Sequence, residues 1–332
     1  MQLPSWGAPA LFARARSQRF RPTLVGDALR EQLLACTGDP DPFATMYRDV
    51  EILAFRVESP LPHWLFSTFG LAPVRSSQPL AGTHTELTIR VPVSRTPLPP
   101  DWPAALLAHL VRHIRQRGVS IEQGHYMDLH RPVRQGSQLT GLSFVTDPLL
   151  GIVDGPLALT QFTYAVGLTT ADLHAALAWD PLKFTGVLGD VFPLGLSDPD
   201  RADVAADAQA ADRIIAATKA EGSSIGAASV RLLGAEPGGR IDVDASGARA
   251  ILRAMRHRLP FGRSFALVEA AGSAWLLFEP AADPALTPQD QGLRVQTPDT
   301  LRNELLATLD ASPGKYSFVS APLTLHVVDT ST

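Results

Sequence analysis

The stretch LTGLSFVTDPLLGIVDGPLALTQFTYAVGLTTADLHAALAWD, residues 139–180, decides how the chain is read. Leu139–Thr146 and Leu157–Val166 are apolar and rich in β-branched and aromatic residues, which predicts two buried strands. Asp147-Pro148 and Asp154-Gly155-Pro156 punctuate them, because Asp accepts local backbone hydrogen bonds and Pro presets φ. Gly167 is read as the end of the second strand. Thr169, with Asp172 three residues on, has the spacing of a capping box. Leu173, Ala176 and Leu177 then give a helix its inward stripe. Strand, turn, strand and capped helix make a scaffold, and none of these side chains is an obvious reacting group.

Upstream, Asp27 is read as capping a helix through Ala35, and Val50–Val57 and His63–Phe69 as strands. Glu86, Thr88 and Arg90 alternate with Leu87, Ile89 and Val91, which predicts a strand with one wet face. Asp101 caps a helix Trp102–Arg117 that ends at Gly118. Its buried stripe is Leu106, Leu107, Leu110, Val111 and Ile114. Residues 121–138 are polar and turn-rich and read as a surface loop. Residues 1–25, with Arg14, Arg16, Arg19 and Arg21, read as a solvated arm rather than a docking segment.

Downstream, Leu196-Ser197-Asp198-Pro199-Asp200 is taken as a domain boundary. The division expected is an N-terminal lobe 1–196, a boundary segment 197–205 and a C-terminal lobe 206–332. The second lobe reads as a helix Ala205–Ala220, strands Ser229–Leu233 and Arg240–Asp244, and a helix capped by Ser246. A hairpin Arg263–Glu269/Ala274–Glu279, a helix after Thr297-Pro298 and a closing strand Leu323–Val328 follow. The fold class is α+β, two-lobed, with a mixed or antiparallel sheet packed with helices in each lobe.

A length of 332 residues suits two cores, since single cores stop growing near about 250–300 residues. No apolar run approaches the length of a membrane span, and the N-terminus has no apolar signal-peptide centre. The single cysteine, Cys36, leaves no internal disulfide framework and fits a reducing cytoplasm. A net charge of −4 argues against general nucleic-acid binding, which needs a basic surface.

Motifs for chemistry are sparse. His109 and His113 have the helical spacing of two metal ligands, but they flank the apolar stripe and lack a third ligand close by, so no zinc and no other cofactor is expected. Gly222-Ser223-Ser224-Ile225-Gly226 matches a nucleophile elbow, which needs a strand before the Ser and a helix after it; here the order is reversed. A hydrolase using Ser224, or a metal enzyme using His109 and His113, is the alternative to a binding protein. Asp242 and Asp244 share one strand face, as solvated carboxylates also do. Arg249, Arg253, Arg256, His257, Arg258 and Arg263 form a basic run, read as a solvated face that could also meet an acidic partner.

Six segments stand in an order that resembles the Suppressor of fused family: PHWLFSTFGL (62–71), HTELTIRV (84–91), WPAALLAHLVRHI (102–114), GH (124–125), TDP (146–148) and FTYAVGLTTADLHAALAW (162–179). LRAMRHRLPFGRSF (252–265) continues it more weakly. The resemblance implies a non-enzymatic protein whose two lobes clamp an extended partner peptide as an added strand, the mode in which main-chain bonds give affinity and side-chain pockets give specificity. It further implies a prokaryotic member, of the kind associated with toxin systems as immunity proteins that sequester a toxin. His113, His125 and Asp147 occupy the groove-lining segments, and Arg263 is added from the basic run and the GRSF match. His113 and His125 stand where the animal protein has an aromatic and an acidic residue, so its peptide preference does not carry over.

Overall fold

The computed structural model describes residues 13–14, 24–72, 84–94, 96–154 and 159–329. The basic arm, apart from the backbone of 13–14, and the Gly155-Pro156 turn lie outside them. Two compact units are present. The first comprises residues up to Leu173 together with Pro181–Ala210; the second comprises His174–Asp180 together with the chain from Ala211.

In chain order the first unit holds β1 (Ala13–Arg14), α1 (Leu24–Thr37), β2 (Phe43–Tyr47), β3 (Val50–Val57), β4 (His63–Phe69), β5 (Thr85–Pro92), α2 (Asp101–Arg117), β6 (Tyr126–Asp128), β7 (Leu139–Thr146), β8 (Ile152–Asp154) and β9 (Leu159–Thr169). Next come α3 (Thr170–Ala178), which begins in this unit, and α4 (Pro181–Val191). The nine strands form one sheet in the order β1-β2-β3-β4-β5-β9-β7-β6, with β8 paired to β9. All pairings are antiparallel except β5 with β9.

Both faces of this sheet are covered. Val50, Ile52 and Ala54 of β3 pack, with Leu87, Ile89 and Val91 of β5, against the α2 stripe Leu106, Leu107, Leu110, Val111 and Ile114. The opposite face of β3, Leu53, Phe55 and Val57, packs with Leu29 and Leu33 of α1. A sheet covered on both sides has no wet face, so the expectation for Glu86, Thr88 and Arg90 is overturned: they are 0 %, 0 % and 1 % exposed. Alternation in β5 separates an apolar buried face from a polar buried face.

Other local readings shift as well. The α1 helix starts three residues before Asp27, and Pro100 rather than Asp101 precedes α2. Gly118 closes α2 in the left-handed region, its N–H bonded to the Ile114 carbonyl, as a C-terminal glycine should. The capping box is formed: the Asp172 N–H donates to Thr169 Oγ1 at 3.1 Å and the Thr169 N–H to Asp172 Oδ2 at 3.3 Å. Gly167 does not end its strand, which runs two residues further. Residues 121–138 are not simply a loop, since β6 pairs there with β7 and Ile121, Leu129 and Val133 are buried.

The expected boundary 197–205 is instead seated in the first unit. Ser197 is fully buried and its Oγ accepts the Gly167 N–H at 2.8 Å. Arg201 pairs with Asp172 at 2.6 Å, both 2 % exposed, and the Val204 N–H donates to Asp172 Oδ1. Asp/Pro composition marked an irregular path, and buried ion pairing keeps that path in the core.

The second unit contains most of α5 (Ala208–Glu221), then β10 (Ala227–Val230), β11 (Leu233–Ala235), β12 (Arg240–Asp244), α6 (Ala245–His257), β13 (Phe265–Glu269), β14 (Trp275–Pro280), β15 (Ala285–Gln289), β16 (Gly292–Thr297), α7 (Asp299–Thr308), β17 (Gly314–Ser317) and β18 (Thr324–Val328). Its sheets run β10-β13-β14-β16-β15 and β11-β12-β18-β17, and each mixes parallel and antiparallel pairs. Ile251 and Met255 of α6 pack with Leu267, Phe278, Val295 and Leu325 in one core. Asp244, not Ser246, caps α6, accepting from the Gly247 N–H at 2.8 Å. The fold class is α+β with mixed sheets, as expected.

Candidate partner-binding surfaces

In the first unit the residues singled out by the sequence fall into different environments. His113 is a half-buried residue of α2; burial, and then the charge of Arg117, hold its pKa below that of a free histidine. His109 is pushed down to about 4 by burial first and then by Arg112, Arg131 and His113. The Arg112 guanidinium donates to His109 Nδ1 at 2.8 Å. No group of three or more metal-ligating side chains occurs among the described residues.

His125 is exposed at the start of β6, the last strand of its sheet. Its Nδ1 accepts the Glu122 N–H at 3.1 Å, and its carbonyl accepts the Phe144 N–H. The neutral ring therefore carries its proton on Nε2, which leaves a donor for a partner. Among the described residues no hydrogen bond joins His113, His125 and Asp147.

Asp147 is not a surface residue. It is 0 % exposed and accepts from Arg90 Nη2 at 2.7 Å, Thr88 Oγ1 at 2.7 Å and the Leu149 and Leu150 N–H groups at 2.9 and 3.0 Å. Burial alone would raise its pKa, but the Arg90 charge and these donors hold it below the usual carboxylate range. Arg90 Nε and Nη1 meet no hydrogen-bond acceptor among the described residues, and the guanidinium lies 4.7 Å from the centre of the Tyr164 ring, a cation–π contact. Held by these donors inside the core, Asp147 shapes the turn after β7.

Sequence reasoning did not assign Glu86. Its carboxylate accepts from Thr68 Oγ1 at 2.5 Å and from the Gly70, Leu71 and Ala72 N–H groups at 2.9, 3.4 and 3.0 Å. Thr68 Oγ1 itself accepts the Leu87 N–H, so its proton points at Glu86. Burial pushes Glu86 up to about 7, against the pull of these four donors.

In the second unit, the elbow-like residues 222–226 follow helix α5 and precede strand β10, the reverse of a nucleophile elbow. The turn is pinned: Ser223 Oγ donates to the Leu177 carbonyl at 2.7 Å, and the Ser224 N–H to the Trp179 carbonyl at 2.7 Å. Ser224 is exposed, and no His or carboxylate is hydrogen-bonded to it among the described residues. Arg263, also exposed, donates to the Ser223 carbonyl at 3.2 Å.

The feature missed altogether is the edge of β10. Among the described residues this strand ends its sheet and is bonded only to β13. The carbonyls of Gly226 and Val230 accept from Ala266 and Ala270 on the β13 side. Backbone groups alternate in direction along a parallel pair, so Ala227 and Ser229, both exposed, turn their N–H and C=O groups away from the sheet. The four-residue AASV segment is too short and too weakly patterned to announce an edge strand.

Residues 47–202 match the family described as Suppressor of fused protein (SUFU). The chain is 28 % identical to the human Suppressor of fused homolog over 156 residues, 43 % of this chain and 32 % of that protein. The mouse homolog is 27 % identical over the same length. The match thus spans about a third of these curated relatives. Among solved structures, Drosophila Suppressor of Fused aligns with a TM-score of 0.70 at 16 % identity, covering 94 % of this chain and 99 % of that one. A chain of the Sufu–Fu complex aligns with a TM-score of 0.52 at 19 % identity, covering 58 % and 98 %. At such identities the structural likeness speaks for fold. Residues 47–202 therefore carry the likeness to the Suppressor of fused family in sequence, and the fold follows that of Drosophila Suppressor of Fused along nearly the whole chain.

Proposed function

We propose that this protein is a non-enzymatic binding module that takes up an extended segment of a partner protein by strand addition, and that it sequesters a toxin as an immunity protein. The observation that carries the reading is the open β10 edge, where Ala227 and Ser229 present unused backbone donors and acceptors. An extended chain satisfies such groups with its own backbone, at a net gain of roughly 0.5–1.5 kcal/mol per bond. The match of residues 47–202 to a family with a structure named as the Sufu–Fu complex supports the reading. His125, with its free Nε2–H beside the β6 edge, His113 on α2 and Arg263 supply side-chain contacts within their own units.

The test places a photoreactive residue at Ser229 or at His125 in the full chain, in extract of the cells that make it. A discrete protein should be crosslinked at both positions and not at the control position Val319, which is 96 % exposed. Ser229→Pro removes an N–H that the fold leaves unused and should abolish capture. Capture unaffected by this change would overturn strand addition at β10. If the captured protein does not arrest growth when expressed alone, the immunity role fails while binding stands.

A further inference from the structure

Two features that read separately in the sequence, the GSSIG segment and the basic run, meet in the second unit. Arg258 Nη1 and Arg263 Nη1 donate to the same Ser223 carbonyl, at 3.0 and 3.2 Å. Arg258 Nε also donates to the Ser264 carbonyl at 2.5 Å, and Arg263 lies 5.8 Å from the centre of the Phe261 ring. Neither guanidinium has a carboxylate partner among the described residues. Two like charges sharing one neutral acceptor repel, and most of their N–H donors remain free.

The arrangement is held in place. Ser223 is 2 % exposed and its N–H bonds to the His257 carbonyl. Gly222 lies in the left-handed region, at φ 65°, where a Cβ would strike Phe261 and the His257 carbonyl. Arg258 Nη2 lies against Gly226, where a Cβ would meet it at 3.0 Å. Burial and the charge of Arg263 both disfavour the charged form of Arg258, a cost that a bound anion would offset. One residue beyond Gly226 the free β10 edge begins.

We infer that Arg258 and Arg263 form a carboxylate-accepting clamp at the start of the β10 edge, and that the partner segment is an acidic extended peptide. This rests on strand addition at β10. A carboxylate suits paired guanidiniums through charge-assisted, bidentate hydrogen bonds, and the exposed Arg249 and Arg256 on α6 extend the positive field that would attract such a chain.

The probes are three short peptides of alternating Thr with Glu, Gln or Lys, each fluorescently labelled, and binding to the full chain is read by anisotropy at low salt. The Glu peptide should bind more tightly than the Gln peptide by about tenfold, the scale of one charge-assisted contact. Arg263→Gln should remove most of that preference, and Arg263→Glu should turn it toward the Lys peptide. Arg263 is exposed, so these variants should fold, as circular dichroism would check; Arg258→Gln is the second arm. Ser229→Pro should weaken all three peptides and keep their ranking. If Ser229→Pro weakens binding while folded Arg variants keep the Glu preference, the clamp is wrong and strand addition survives. If the Arg variants abolish the preference and Ser229→Pro does nothing, the anion site stands and the β10 edge is not its neighbour in binding. Equal binding of the Glu and Gln peptides to the wild type overturns the clamp outright.

Discussion

Glu86 and Asp147 are both buried carboxylates, and they pull stability in opposite directions with pH. Glu86 has a raised pKa of about 7, so the folded chain keeps this proton over a pH range in which the unfolded chain has released it. Its contribution to stability is then greatest at low pH and declines as pH rises from the ordinary glutamate range toward 7. Glu86→Gln should remove that decline, so the stability difference between variant and wild type should change with a slope of at most about 1.4 kcal/mol per pH unit. Denaturant titrations between pH 5 and 8 would read it, and parallel curves would refute it. Asp147 has a lowered pKa, and its contribution is present above the unfolded value and lost as pH falls through the folded one. Asp147→Asn leaves Arg90 buried without its counter-charge and should cost about 3–5 kcal/mol, measured as a fall in denaturation midpoint at neutral pH. Neither residue announced this role. Glu86 and Arg90 alternate with apolar neighbours as solvent-facing residues do, and only their distant partners, Thr68 and Asp147, distinguish a buried polar row from a wet one.

Among the elements, β9 shows what local patterning reveals and what it hides. Its apolar run was legible, and so was the capped helix after it, because caps and periodicity are local. Gly167 has the look of punctuation, yet it lies inside the strand, opposite Leu142 of β7. The reason for glycine there is a close approach: a Cβ would meet Leu139 Cδ1 at 2.7 Å and Ser197 Oγ at 3.1 Å. Ser197 lies thirty positions away in sequence, so nothing near Gly167 could disclose the contact. Gly167→Ala should overpack this contact and cost roughly 1–3 kcal/mol, with Gly189→Ala, where a Cβ meets nothing within 4 Å, as the benign comparison. Equal melting temperatures for the two variants would show that the strand yields. The β10 edge was hidden for a different reason. Whether a strand has one neighbour or two is decided by the rest of the sheet, not by its own four residues.

For the whole molecule, length and composition already pointed to two cores, and two compact units are present. The misplaced feature was the join. Turn-rich composition suggested a free segment at 197–205, whereas the Arg201–Asp172 pair and buried Ser197 tie it to the first unit. Limited proteolysis of the folded chain should therefore spare residues 197–205; an early cut there would count against the buried pairing. The candidate surfaces were half legible. Resemblance led to His113 and His125, the basic run led to Arg263, and the meeting of Arg263 with Arg258 on one carbonyl needed three-dimensional structure.

The interleaving of the units along the chain also bears on synthesis. The short segment His174–Asp180 belongs with residues beyond Ala211, although the chain returns to the first unit between them. On the ribosome, Leu177 and Trp179 therefore emerge long before the residues that bond to them: Ser223, which donates to the Leu177 carbonyl, and Glu221, which accepts from the Trp179 indole at 2.8 Å. A gene fragment ending near residue 205 would leave both groups without these partners, so the two units could not be traded between proteins as separate cassettes by a single crossover.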